Sequence, residues 1–91
     1  MRMHDPAHPG EIARDNMEAE GWTVKQCASR LGVSSITLSR LLNCRAAVSA
    51  SMALALERVG WGTAEHWERM QGSHDLAGER QKRAGAPHRA R

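Results

Sequence analysis

Val24-Lys25-Gln26-Cys27-Ala28-Ser29-Arg30-Leu31-Gly32-Val33-Ser34-Ser35-Ile36-Thr37-Leu38-Ser39-Arg40-Leu41 is the stretch on which the fold turns. Val24, Cys27, Ala28 and Leu31 fall at i, i+3, i+4 and i+7, the spacing of one buried helical face. Thr23 stands where an N-cap is needed, Gly32 stops the helix, and Ser34 is placed to cap a second one. In that second helix Leu38, Leu41 and Leu42 face inward, while Ile36, Ser39, Arg40 and Asn43 share the opposite face. Two short helices hinged on a glycine, with a small residue (Ala28) where they cross, make a helix-turn-helix. From Gly21 to Leu56 the chain carries Lys25, Arg30, Arg40 and Arg45 and no acidic residue. Such a helix pair suits a polyanion.

The remaining elements follow from local signals. Pro9 and Glu11 suit the first turn of a helix from Pro9 to Glu20, with Ile12, Ala13 and Met17 inward and Gly21 as its stop; Trp22 is expected to fold back onto it. Ser49 caps a fourth helix in which Met52, Ala55, Leu56 and Val59 repeat at helical spacing before Gly60, leaving Leu54 off the stripe. Thr63 opens a fifth, expected to run to about Leu76 with Trp67 and Met70 inward. Leu54 and Met70 fit a dimer seam or simple packing equally. The organisation expected is an extended lead-in over residues 1–8, a helix-turn-helix domain over 9–77, and a basic, disordered tail over 78–91, which has little to bury.

Ninety-one residues support one modest core. With no Phe or Tyr, its volume comes from aliphatic residues and three tryptophans, an inventory for an all-α fold. The net charge of +3 is uneven, because residues 78–91 carry five basic and one acidic side chain, +4, leaving −1 for residues 1–77. The acid-free window is therefore better evidence for a nucleic-acid partner than the overall charge. Cys27 and Cys44 lie seventeen apart and suggest neither a zinc site nor a disulfide, which points to a reducing compartment. Cys27 reads as core and Cys44 as more exposed; the scattered histidines read as plain surface. No signal peptide or membrane span is evident, so a cytoplasmic protein is expected. No nucleophile–base pair, paired carboxylates, phosphate loop or metal cluster appears at useful spacing, so neither an enzyme nor a cofactor is expected.

If the second helix of the motif enters a major groove, its candidate contacts are Ser34, Ser35, Ile36, Ser39 and Arg40. Arg40 suits a guanine or a phosphate, and Ile36 a thymine methyl. Lys25, Gln26 and Arg45, with backbone amides at the two helix starts, would set the register on phosphates.

His8-Pro9-Gly10-Glu11-Ile12, Ala28 to Ser34, Thr37 to Asn43, Met52 to Glu57 and Ala64-Glu65-His66-Trp67, in this order and spacing, resemble the HigA-type (VapI-like) antitoxins of the Xre/Cro helix-turn-helix superfamily. The match covers about residues 4–77. It implies a five-helix, lambda-repressor-like DNA-binding domain that binds double-stranded operator DNA as a homodimer and represses its own operon. It also implies neutralisation of a HigB-like toxin, a small ribonuclease. Two readings stand beside it: a toxin-binding module without specific DNA binding, and a stand-alone Xre-family repressor. The sequence departs from such proteins in placing Cys44, where Gly is usual, at a turn expected to be left-handed, and Ser35-Ile36 where polar or basic base-reading residues are common.

Overall fold

A computed structural model describes residues 7–85 and contains five helices: α1 Pro9–Glu20, α2 Val24–Leu31, α3 Ser35–Leu42, α4 Ala50–Arg58 and α5 Ala64–Gly85. The starts and ends follow the local chemistry. Thr23, Ser34 and Ser49 accept hydrogen bonds from the amides of Gln26, Thr37 and Met52, and Thr23 and Gln26 close a reciprocal capping box. Gly21 and Gly32 adopt left-handed geometry at the ends of α1 and α2 (φ 75° in both).

The core joins the inward stripes of all five helices, with Leu31, Leu38, Leu41, Leu56 and Trp67 almost fully buried. Trp67 is the largest of them and also donates its indole N–H to the Trp61 carbonyl at 2.9 Å. α2 packs on α3 and α4, α1 on α3 and α5, and α4 on α5, so the α2–α3 pair is backed by α1 and α4.

α1 approaches α3 closely. A Cβ built on Gly10 would fall 2.0 Å from the Leu41 carbonyl oxygen, which explains a glycine in the first turn of a helix, where it is otherwise unfavourable. His8 is not plain surface as expected. It is buried at the N-cap of α1, where its Nδ1 accepts the Gly10 amide at 2.8 Å.

The chain turns back at Trp22, whose amide donates to the Met17 carbonyl of α1 at 3.1 Å; its ring stacks on Trp61 with centroids 5.5 Å apart, and the Arg30 guanidinium sits 4.8 Å from its centroid. One further expectation is corrected. α5 does not stop near Leu76 but continues to Gly85, so the basic segment from Gly78 is helical that far. Ala, Glu, Gln, Lys and Arg there are strong helix formers, extension of an existing helix needs no new nucleus, and Glu79 pairs with Lys82 (3.9 Å) and Arg83 (3.2 Å). The lead-in over residues 1–6 and the tail over residues 86–91 lie outside the described residues.

Candidate nucleic-acid interface

The inward leucines of α3 decide what the helix shows to the outside. With Leu38, Leu41 and Leu42 buried, Ser35, Ile36 and Arg40 are exposed and Ser39 is half-buried. Ser34 is exposed at the cap, but its hydroxyl is occupied: it accepts the Thr37 amide at 3.0 Å and donates to Thr37 Oγ1 at 2.9 Å. Ser39 Oγ accepts from Asn43 Nδ2 at 3.4 Å. On α2, Lys25 and Gln26 are exposed in the first turn, and the Gln26 carbonyl oxygen is committed to the Thr23 amide.

The candidates thus form two groups on the helix pair, Lys25 and Gln26 at the start of α2 and Ser34, Ser35, Ile36, Ser39 and Arg40 along α3. Arg45 is apart from both. It is exposed beyond the C-terminal end of α3, and it lines a polar pocket with His8, Gln71, His74 and Asp75, at the α5 side of the fold. Among the described residues the side chains of Lys25, Arg40 and Arg45 have no hydrogen-bond or ion-pair partner, whereas the Arg30 side chain is engaged with Trp22.

Several residues that hold this surface in place were not legible. Arg14 of α1 donates to Asn43 Oδ1 at 3.0 Å and to the Leu42 carbonyl at 3.4 Å. Arg58 of α4 donates to the Leu31 carbonyl at 2.8 Å. Each helix of the pair therefore has its carbonyl end, the negative end of its dipole, held by a guanidinium from outside the motif. Thr37, exposed on α3 and closed on Ser34, was also missed; its place one residue after Ile36 was the available signal.

The turn after α3 has the left-handed geometry expected. Cys44 has φ 60°, and the Cys44 and Arg45 amides bond back to the Leu41 and Arg40 carbonyls at 2.9 and 2.8 Å, a Schellman closure with a cysteine in the usual glycine place. Both cysteines are free, Cys27 buried and Cys44 exposed. Burial pushes the Cys27 thiol above its ordinary pKa, in keeping with a packing role. Among the described residues no His, Cys, Asp or Glu cluster is arranged to hold a metal ion, and no helix is long and apolar enough to cross a membrane.

A helix-turn-helix backed by three further helices defines the class, and comparison with known proteins narrows it. No family model matches the chain. Virulence-associated protein A' of Dichelobacter nodosus is 30% identical over 77 residues, covering 84% of this chain and 67% of that protein. The antitoxin GraA superposes with a TM-score of 0.83 at 33% identity over 97% of this chain and all of that one, and it has also been solved in complex with its operator. Pseudomonas aeruginosa antitoxin HigA, solved with the higBA promoter, superposes with a TM-score of 0.80 at 30% identity over 87% of both chains. The chain belongs to the HigA-type antitoxin family of Xre helix-turn-helix proteins.

Proposed function

We propose that the protein is an antitoxin that binds double-stranded operator DNA through α2 and α3, represses its own operon, and neutralises a HigB-like RNA-cleaving toxin. The observation that carries the DNA half is the α2–α3 surface. It is free of acid, its cations Lys25 and Arg40 are exposed, and neither is spent within the fold. Relatives of the same fold solved on operator or promoter DNA support the same reading. The toxin half is supported by membership of the family.

In this reading Arg40 contacts a guanine edge or a phosphate, with Ser35, Ile36 and Ser39 beside it on the groove side. Lys25, Gln26 and Ser34 hold the flanking phosphates, Ser34 through the amides it orders at the start of α3. Arg45 acts only as a peripheral backbone contact. A two-fold homodimer places its recognition helices about 34 Å apart, one turn of B-DNA, and so matches an inverted repeat. The working unit spans residues 9–77 with 78–91 as an appendage, and its setting is the cytoplasm.

The test is a gel shift with the DNA upstream of the protein's own gene, across salt concentrations. Wild type is expected to bind with an affinity that falls steeply with salt. Arg40→Ala is expected to weaken binding about 10-fold or more. No shift of any upstream fragment overturns the DNA half, and unchanged binding by the variant removes Arg40 from the site. Co-purification with the product of the adjacent gene checks the toxin half; absence of any such complex favours a stand-alone repressor.

A further inference from the structure

We propose that Ile36 reads a pyrimidine 5-methyl group, so that the operator carries a methyl-bearing pyrimidine facing the start of α3 in each half-site. The inference rests on the DNA-binding reading above and assigns a specificity determinant to it.

The argument begins with what the exposed surface of α2 and α3 offers. Ile36 is 75% exposed. The other exposed residues of the two helices and their N-caps are polar: Thr23, Lys25, Gln26, Ser29, Arg30, Ser34, Ser35, Thr37 and Arg40. Most of the polar groups around Ile36 are already engaged, Ser34 with Thr37 and Ser39 with Asn43. Ser35 and Arg40 remain as hydrogen-bonding readers on α3, and Ile36 is its only exposed apolar reader. A single large aliphatic side chain among polar neighbours does not form the contiguous apolar patch that a protein partner takes.

The major groove matches such a side chain in one way. Its floor is made of donors and acceptors, apart from the 5-methyl group that thymine carries and cytosine acquires on methylation. Against a donor or acceptor Ile36 gains nothing and strips water from a polar edge; against a methyl group both apolar surfaces leave water together. Position strengthens the match. Ile36 is the second residue of α3, and it is the N-terminal residues of a recognition helix that reach base edges.

The upstream fragment is amplified in three forms: with thymine and unmodified cytosine, with uracil in place of thymine, and with thymine and 5-methylcytosine. Wild type is expected to bind the thymine duplex more tightly than the uracil duplex, by about fourfold for each contacted methyl group. If cytosine is the methyl carrier, the methylcytosine duplex is instead the tighter one. Ile36→Ala is expected to bring the affected pair of duplexes to nearly equal affinity with unchanged thermal unfolding, because the side chain is exposed. Equal affinity of wild type for all three duplexes, or a methyl preference that survives in Ile36→Ala, overturns the inference while leaving DNA binding intact. No shift with any duplex overturns the DNA-binding reading and this inference with it.

Discussion

Cys44 shows how much one residue can be read and how much it costs. Its left-handed geometry was expected from the turn after Asn43, and φ is 60° there. A Cβ in that conformation carries a penalty of about 1–2 kcal/mol, part of which a glycine gives back through the greater freedom of its unfolded chain. Cys44→Gly is therefore expected to stabilise the protein by roughly 0.5–1 kcal/mol, raising Tm by a few degrees in a thermal melt. An unchanged or lower Tm would mean that the thiol makes a compensating contribution. At the same scale, the exposure of Ile36 and Arg40 was legible because both alternate with Leu38, Leu41 and Leu42 at helical spacing. The engagement of Ser39 and Asn43 was not, because it depends on which rotamer each side chain adopts.

At the level of elements, the start of α1 depends on protonation. His8 Nδ1 is an acceptor only in the neutral ring, and its pKa is lowered by burial first and by neighbouring His74 second, with Asp75 and Glu11 opposing. A folded pKa below the ordinary 6.5 means that the unfolded chain binds more protons as pH falls past 6.5. The stability His8 contributes is thus present above about pH 6.5 and is lost as pH drops through the folded pKa. Loss of the cap costs up to about 1 kcal/mol, so Tm is expected to fall as pH drops below about 6.5. His8→Asn keeps an acceptor that does not titrate and is expected to flatten that fall; an equal fall in both proteins would place the effect elsewhere. The helix boundaries themselves were legible, since caps and glycine stops act within a few residues of the helix they bound. The ties that fix one helix against another were not: Arg14 to Asn43, Arg58 to Leu31 and Gln71 to Val48 join residues 29, 27 and 23 apart, and no local pattern marks them.

On the scale of the whole molecule, α5 is the element whose extent the sequence misstated. Its 22 residues reach about 33 Å, and from Gly78 to Ala84 its residues are exposed. The apolar pattern that announces a helix fades after Leu76, while the helix continues on propensity and the Glu79 ion pairs, which leave no hydrophobic periodicity to read. Ending the chain after Ala77 is expected to leave thermal stability within about 0.5 kcal/mol of the full chain, since no core contact is removed. A larger loss would show that the basic segment supports the fold. The core, by contrast, was legible nearly in full, because its leucines and Trp67 sit on regular stripes. The Trp22–Trp61 stack has an optical consequence. With no tyrosine or phenylalanine in the chain, its near-ultraviolet spectrum is that of three indoles, and two of them lie close enough for their transitions to couple. A circular-dichroism couplet is therefore expected in the far ultraviolet, where the strong indole transitions lie, and it would gauge the seam between the α1–α2 and α4–α5 connections without any attached dye.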